Sequence, residues 1–304
     1  MKLLQKIALC AAALLPAAAL GTIHVVIVEG LGGEPRYAGQ FAEQVTAVQN
    51  ASESLTETSR IRVFRSDGAS RDAVLAHFQS LGAMLSADDQ LIVYLIGHGS
   101  YDEHLYKFNI AGPDLSDADL VAAFAALPDT IQVLINTSSA SGAAAENLQA
   151  AHRVVISATR SGVERHATRF GAYFAAALDD PSADVDKNQV ITALEAFDFA
   201  ARRVADYFDS NGQLATEHPR LDGERAERIN LARLGATRTE IDDSELRELI
   251  SKRDEIAAQI DTLRLSRDKM PPGQYQQQLL ESMLDLALAE EAIEERQSEF
   301  GRDE

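Results

Sequence analysis

The stretch LIVYLIGHGS, residues 91–100, decides the fold of this chain. A short apolar run rich in β-branched residues and ended by glycine is typical of a strand that is buried on both faces of a parallel sheet. Glycines on both sides of His98 let a substrate backbone approach and leave the Gly99 N–H free to donate to an oxyanion. Ligands bind beyond the carboxyl ends of such strands, so His98 is a candidate catalytic residue, although a turn histidine without a function fits the same pattern.

Similar apolar runs recur along the chain and alternate with amphipathic segments. The other predicted strands are Ile23–Val28, Ile61–Phe64, Ile131–Ile135 and Val154–Ser157. The predicted helices between and after them are Tyr37–Gln49, Arg71–Leu85, Asp117–Ala126, Ala143–Ala150 and Phe170–Leu178. This alternation predicts an α/β domain over residues 22–235, a three-layer sandwich with a mostly parallel central sheet.

A cluster of hydroxyl side chains follows the fourth predicted strand in INTSSASG, residues 135–142. Small residues there permit a tight turn from strand to helix, which can present one hydroxyl beside His98 if the two strands are neighbours. The same residues would also serve simply to satisfy the turn and cap the next helix. The hydroxyls that compete for the catalytic role are those of Thr137, Ser138, Ser139 and Ser141.

Together, Gly97-His98-Gly99-Ser100 and Ser141-Gly142 resemble the motifs of the caspase and legumain clan of peptidases, the bacterial legumain-like members most closely. In that family one strand ends in His-Gly, and a later strand ends in an acidic residue, Ala, Cys, a variable residue, Ser and Gly. Matching the final Ser-Gly places Ser139 at the position of the family's cysteine. The resemblance covers about residues 23–220 and implies a caspase-like fold and cleavage of a peptide or protein substrate.

In this interpretation Ser139 attacks an acyl carbon, His98 accepts its proton, and the N–H groups of Gly99 and Ser139 hold the oxyanion. This chemistry needs no cofactor. A serine at the nucleophile position is equally what a non-catalytic pseudopeptidase with a binding or scaffold role would carry. The sequence leaves open which polar residue orients the imidazole. The candidates are Asp102, Glu103, Asp114 and Asn136.

The loop after the fifth predicted strand lies where family members build part of the substrate pocket. It contains both signs of charge, with Arg160 and Glu164 as candidate substrate-binding residues. Either side chain could select an opposite charge in the substrate, while a solvated loop without that role fits the same residues.

Residues 184–195 reproduce the ligand spacing of an EF-hand calcium loop. The candidate ligands at positions one, three, five, seven and twelve are Asp184, Asp186, Asn188, Val190 and Glu195. Position six is Gln189 instead of glycine, so the loop would hold a side chain at positive φ. The alternative is a plain helix start, in which Thr192 and Glu195 form a capping box.

The composition and the N-terminal residues restrict where the protein is located and which partners it can have. A net charge of −19 argues against nucleic acid as a partner. Residues 1–21 carry two lysines, an apolar run and small residues, which predicts a signal peptide cleaved between Ala19 and Thr22 and a periplasmic or secreted protein. Cys10 is the only cysteine, so the mature chain would have no thiol and no disulfide.

Residues 236–304 differ in character and predict a charge-rich helical hairpin. The apolar positions follow heptad spacing on both sides of a break at Pro271-Pro272-Gly273. They are Leu246, Leu249, Ile256, Ile260, Leu263, Met270, Leu279, Met283, Leu286 and Ile293. Such a hairpin must bury its stripe against the α/β domain, a second copy or another protein, so we expect either simple capping or a docking arm.

Overall fold

The computed structural model describes residues 21–65, 68–234, 244–267 and 270–300. The predicted signal peptide therefore lies outside the described residues, except for Gly21. The strands are β1 (Ile23–Glu29), β2 (Ile61–Phe64), β3 (Gln90–Ile96), β4 (Gly99–Tyr101), β5 (Tyr106–Phe108), β6 (Leu115–Ser116), β7 (Ile131–Asn136), β8 (Arg153–Ser157), β9 (Val190–Thr192), β10 (Arg220–Asp222) and β11 (Asn230–Arg233). The helices are α1 (Pro35–Glu53), α2 (Arg71–Met84), α3 (Asp117–Ala125), α4 (Gly142–Ala145), α5 (Phe170–Ala177), α6 (Ala193–Ser210), α7 (Ser244–Leu265) and α8 (Pro272–Phe300).

The central sheet has six strands in the order β10-β8-β7-β3-β1-β2. All neighbours in it are parallel except β10, which pairs with β8 in the antiparallel sense. The chain leaves β1 toward one edge and returns through β3 to the other side of β1, so the direction of winding reverses between β1 and β3. The carboxyl ends at this reversal are where an open α/β sheet binds its ligands.

Helices cover both faces of the sheet because alternate strand residues point to opposite sides. On one face, Tyr94 packs in a core with Phe174 of α5 and Phe199 of α6. On the other face, Phe78 of α2 and Phe124 of α3 form a second core. The expected three-layer α/β sandwich with a mostly parallel sheet and a C-terminal helical hairpin is confirmed.

The helix predicted over Ala143–Ala150 is wrong in extent. The α-helix α4 stops at Ala145 and continues as one 3₁₀ turn to Leu148. The cause is the buried Arg153, whose guanidinium takes the Leu148 carbonyl as an acceptor at 2.6 Å. A buried guanidinium without acceptors would be costly, so the chain turns early into β8.

Two small sheets were not predicted, and both lie near candidate sites. Strands β4, β5 and β6 form an antiparallel sheet that begins directly after His98, and β9 pairs with β11 beside the calcium-like loop. Each of these strands has two to four residues, which is too few for a periodic pattern to stand out in the sequence.

Helices α7 and α8 pack against each other through Ile256 and Ile260 of α7 and Ala289 of α8, with the partly buried Leu279 and Leu286 of α8 against them. An ion pair between Arg233, at the end of β11, and Asp261 ties α7 to the α/β domain. Among the described helices, none combines the length and the apolar character that crossing a bilayer requires.

Candidate active site

The two motif-bearing strands are direct neighbours. Strands β3 and β7 pair in parallel with Leu95 opposite Asn136, and the Thr137 N–H donates to the Leu95 carbonyl at 3.0 Å. The chain segments that carry His98 and the serine cluster therefore leave the sheet side by side at one edge.

Gly99 lies in close contact with the serine turn. A Cβ atom at this residue would lie 2.5 Å from the Ser139 carbonyl oxygen and 2.6 Å from Ser138 Oγ. Both distances are well inside van der Waals contact, so only glycine lets the histidine segment pass the serine turn without displacing it.

The His98 ring is half-buried and lies against two aromatic rings of α1. The centroids of Tyr37 and Phe41 lie 4.7 Å and 5.0 Å from that of the imidazole, both in edge-to-face arrangements. Burial lowers the pKa of His98, and this effect outweighs a hydrogen bond to the Gly32 carbonyl and the nearby charge of Glu34, which both act to raise it. The imidazole is therefore held neutral, the form that can accept a proton.

Two of the groups considered for orienting His98 are engaged elsewhere. Asp102 accepts the Leu105 N–H at 2.9 Å and a Lys107 ammonium hydrogen bond at 3.0 Å. The Asn136 amide donates to the hydroxyl of Tyr106 at 2.9 Å. Within the described ranges, no carboxylate forms a hydrogen bond with His98, so its orientation comes from Gly32 and the two rings.

Hydrogen bonding separates the competing hydroxyls. Ser138 Oγ lies 2.6 Å from the Tyr106 hydroxyl and donates to Asn136 Oδ1 at 2.8 Å. Ser141 Oγ accepts the Thr159 N–H at 3.2 Å. The Thr137 hydroxyl donates to the Leu95 carbonyl at 3.1 Å.

Ser139 alone of this cluster has a hydroxyl with no hydrogen-bond partner among the residues described. Ala140, the next residue, adopts a left-handed conformation with φ of 58°, which is costly for a residue with a Cβ atom. The Ala140 N–H donates to the Glu164 carbonyl at 2.9 Å, which holds this strained turn in place. The turn thus sets Ser139 apart from its neighbours.

The predicted oxyanion donors are also unused. The Asn109 N–H donates to the His98 carbonyl at 3.0 Å, just before β4 and just after β5. Hydrogen-bonded and non-hydrogen-bonded pairs alternate along an antiparallel ladder, so the next pair, Gly99 and Phe108, is of the type without mutual hydrogen bonds. The Gly99 N–H consequently points away from β5, toward the free edge of β4. In the described part of the chain, no backbone or side-chain acceptor takes the Ser139 N–H.

Glu164 and Arg160 have different environments in the loop after β8. The Glu164 side chain is 9% exposed, and its carboxylate accepts the N–H groups of Arg160 at 2.9 Å and His218 at 3.1 Å. The Arg160 side chain is 67% exposed, with its guanidinium 3.7 Å from Glu164. Substrate binding by either residue stays a prediction, and Arg160 is the one whose charge faces solvent.

The calcium-like loop brings its acidic residues together. Single carboxylate oxygens of Asp184, Asp186 and Glu195 lie within 4.8 Å of one another. The Gln189 φ of 62° has the positive sign predicted for position six. Glu195 also completes the capping box with Thr192, which the sequence offered as the alternative to a calcium loop. The capping box and the cluster of carboxylates therefore occur in the same loop.

The groups that support the site were not predicted from the sequence. Tyr37 and Phe41 are four residues apart on one face of α1, a spacing that could have indicated an aromatic pair facing the sheet edge. Tyr106 and His218 carry no such signal, because only the folded chain brings them near the serine turn.

Comparison with known proteins finds similarity to solved structures only. No protein family and no curated protein matches the sequence. Among solved structures, protein GSU0716 of Geobacter sulfurreducens is similar with a TM-score of 0.45 and 13% identity, over 71% of this chain and 98% of that one. Caspase-1 of Spodoptera frugiperda is similar with a TM-score of 0.47 and 12% identity, over 72% of this chain and 92% of that one.

Proposed function

We propose that this protein is an exported, caspase- or legumain-like peptidase homologue that cleaves peptide bonds with Ser139 as nucleophile and His98 as general base. Ser139 Oγ attacks the acyl carbon while His98 takes its proton, and the protonated imidazole then returns that proton to the leaving amine. Water hydrolyses the acyl-enzyme by the same route. The N–H groups of Gly99 and Ser139 stabilise the oxyanion.

One observation carries the proposal: the neighbouring ends of β3 and β7 bring Gly99, the residue after His98, against a turn in which only the Ser139 hydroxyl is left without a hydrogen-bond partner among the described residues. Serine needs an aligned base more than cysteine does, because a thiol is far easier to deprotonate. His98 supplies a neutral base, and the Gly32 carbonyl and two aromatic rings fix the position of its imidazole.

The second candidate is a non-catalytic binding module that kept the fold. It is favoured by the burial of Ser139, which is only 4% exposed, and by the lack of a carboxylate hydrogen-bonded to His98 in the described residues. In this case the sheet edge around His98 and Ser139 would hold a peptide without cleaving it.

A fluorophosphonate probe separates the two candidates, since it labels only an activated serine. We expect the wild-type protein to be labelled, and labelling to disappear in Ser139→Ala and His98→Ala. Ser100→Ala is the matched control, because Ser100 is exposed and adjacent to Gly99. Absence of labelling in the wild type, or labelling that persists in Ser139→Ala, would overturn catalysis by Ser139.

A cysteine at position 139 tests the base independently of the substrate. Cys10→Ala combined with Ser139→Cys has a single thiol, because Cys10 is the only native cysteine. We expect iodoacetamide to react faster with this thiol when His98 is present than in the further His98→Ala variant. Equal rates at all pH values would show that His98 does not activate residue 139.

We also propose that residues 184–195 bind Ca²⁺ through the carboxylates of Asp184, Asp186 and Glu195, the Asn188 side chain and the Val190 carbonyl. The support is the gathering of three carboxylates within 4.8 Å, an arrangement of hard oxygen donors that suits calcium. The positive φ of Gln189 gives the loop the turn that a glycine usually supplies.

Thermal unfolding with calcium and with EDTA tests this site. We expect calcium to raise the melting temperature of the wild type, and Asp186→Asn to abolish the increase. Asp198→Asn removes the same charge from an exposed position of α6 and should keep it. Identical melting curves in calcium and EDTA would remove the site.

The natural substrate class is a peptide or protein outside the cytoplasm. Arg160 is the residue we expect to contact it, because its side chain is exposed while its backbone is fixed to Glu164 beside the serine turn. An acidic substrate group would complement this charge, so Arg160→Glu should reverse the preference in a library of peptides that differ in one charge.

A further inference from the structure

The backbone nitrogen of Thr22, directly before β1, lies against a buried carboxylate. It donates to Asp89 Oδ1 at 2.7 Å, and the Thr22 hydroxyl donates to the same oxygen at 2.7 Å. The Thr22 carbonyl accepts the N–H of Gln90, the first residue of β3, at 2.9 Å. The sheet therefore fixes the position of the Thr22 nitrogen beside the carboxylate.

Asp89 is a charged group without a cationic partner in the part of the chain that the structure describes. It is 8% exposed, and its second oxygen accepts the Ser86 N–H at 2.7 Å and the Ser86 hydroxyl at 2.8 Å. Burial acts to raise the pKa of Asp89, but the hydrogen bonds from Ser86 and Thr22 outweigh it and hold this pKa below its ordinary value. Buried carboxylates are usually paired with a cation, so the site favours a positive charge at the Thr22 nitrogen.

The neighbouring His24 of β1 does not supply this charge. Its Nε2 lies 3.0 Å from Thr22 Oγ1, the hydroxyl oxygen that donates to Asp89. Burial lowers the pKa of His24 and outweighs the opposite effect of Asp89, while the charge of Arg60 acts in the same direction as burial. The imidazole is therefore neutral at pH 7.

The predicted signal peptide ends close to this nitrogen. Ala19 and Gly21 form the small-x-small pattern that precedes a signal-peptidase cleavage site, with Thr22 as the first residue of the product. Cleavage after Ala19 would instead leave Leu20 and Gly21 ahead of Thr22. Only cleavage after Gly21 turns the Thr22 amide nitrogen into an α-ammonium.

We propose that signal peptidase releases the exported chain at Thr22 and that Asp89 binds the new α-ammonium as an ion pair. Water hydrolyses the Gly21–Thr22 bond, giving a carboxylate on Gly21 and an amine on Thr22 that is protonated at neutral pH. Because Asp89 already lies at this nitrogen, its hydrogen bond becomes charge-assisted and stronger without a rearrangement. The inference rests on the export part of the proposed function and not on catalysis by Ser139.

The N-terminus of the exported protein tests the cleavage position. The full chain with its own leader is produced in a bacterial host, and the periplasmic product is analysed by N-terminal sequencing and intact mass. We expect Thr22 as the first residue. An unprocessed chain would remove export together with this inference, whereas an exported chain that begins at Leu20 would overturn this inference alone.

Urea unfolding of two forms of the chain tests the ion pair. One is the processed chain, and the other begins Met-Leu20-Gly21, so that the Thr22 nitrogen remains an amide. We expect Asp89→Asn to lower the folding equilibrium constant about fivefold more in the processed chain than in the extended one. Asp88→Asn is the matched control, because Asp88 is an exposed neighbour of the same charge and should affect both forms equally.

The pH dependence separates an ion pair from a purely structural hydrogen bond. The ordinary pKa of an α-amino group is about 7.7–8.0, and pairing with Asp89 raises it in the folded state. The extra stability of the processed chain is therefore complete below about pH 7.5 and is lost as the pH rises through the raised pKa. The nearby charged groups Asp88, Asp89 and Arg60 keep their charge in this range, His24 stays neutral, and the processed chain has no thiol.

Comparison of the two wild-type forms keeps the test valid even if Asp89→Asn does not fold. Their difference in stability should shrink between about pH 8 and pH 10, as the α-ammonium loses its proton. A difference that does not change with pH, or an equal effect of Asp89→Asn in both forms, would show that Asp89 only holds the start of β1 and would overturn the ion pair.

Discussion

Removing the Glu164 carboxylate should destabilise the protein by several kcal/mol and loosen the serine turn. The side chain is 9% exposed and accepts hydrogen bonds from the Arg160 N–H at 2.9 Å and the His218 N–H at 3.1 Å. Its second oxygen lies 2.6 Å from His218 Nδ1. The Glu164 carbonyl accepts the N–H of Ala140, so the carboxylate anchors the loop that holds the residue next to Ser139.

The size of the effect follows from counting the groups left without a partner. Glu164→Ala leaves two backbone donors and one ring nitrogen, at about 1 kcal/mol each because water can partly reach them, so we expect a loss of about 2–4 kcal/mol. Glu164→Gln should cost only about 1 kcal/mol. Its amide oxygen can accept both N–H groups, while its amide nitrogen can donate to the His218 ring nitrogen.

Urea unfolding of both variants measures these free energies, with Glu43→Ala as the control because Glu43 is exposed on α1. The fluorophosphonate labelling rate of Ser139 should fall further in Glu164→Ala than in Glu164→Gln. The reasoning is refuted if Glu164→Ala matches the Glu43 control, or if the alanine and glutamine variants lose equal stability.

Three further outcomes follow from the site. Because burial lowers the pKa of His98, the labelling rate should rise with pH with a midpoint below the ordinary histidine value of 6.5; a midpoint at or above that value would contradict a buried, neutral base. Gly99→Ala should cost about 1–3 kcal/mol and most of the labelling, because its Cβ would meet the Ser139 carbonyl at 2.5 Å, and urea unfolding together with the probe measures both. Tyr106→Phe should cost about 1 kcal/mol in urea unfolding by removing the hydroxyl 2.6 Å from Ser138 Oγ, while labelling should stay at Ser139 by peptide mapping because Ser138 keeps its hydrogen bond to Asn136; a shift of the label to Ser138 would contradict the assignment of Ser139 as nucleophile.

The central sheet could be predicted from sequence because its strands are buried on both faces. Buried parallel strands appear as continuous apolar runs, as in Leu91–Ile96, and the ends of such runs mark the ligand-binding edge. His98 and the hydroxyl cluster of residues 137–141 could be singled out in this way, and Ser139 within that cluster only through the resemblance to the caspase and legumain clan. Their support could not, since Glu164 and His218 are 54 residues apart and meet only through the antiparallel pairing of β10 with β8.

Two left-handed residues show where local pattern ends and tertiary structure begins. The positive φ of Gln189 could be predicted because the spacing of oxygen ligands in residues 184–195 fixes the loop conformation locally. The positive φ of Ala140 could not, since it depends on the hydrogen bond to Glu164, which is 24 residues further along the chain. The glycine of the serine turn lies at Gly142, where a Cβ atom would come within 2.3 Å of the Arg160 backbone. Gly142 is thus required for close packing, while the backbone strain of a positive φ falls on Ala140. The loop after β8 becomes part of the candidate site because it contacts Gly142 through Arg160 and Ala140 through Glu164.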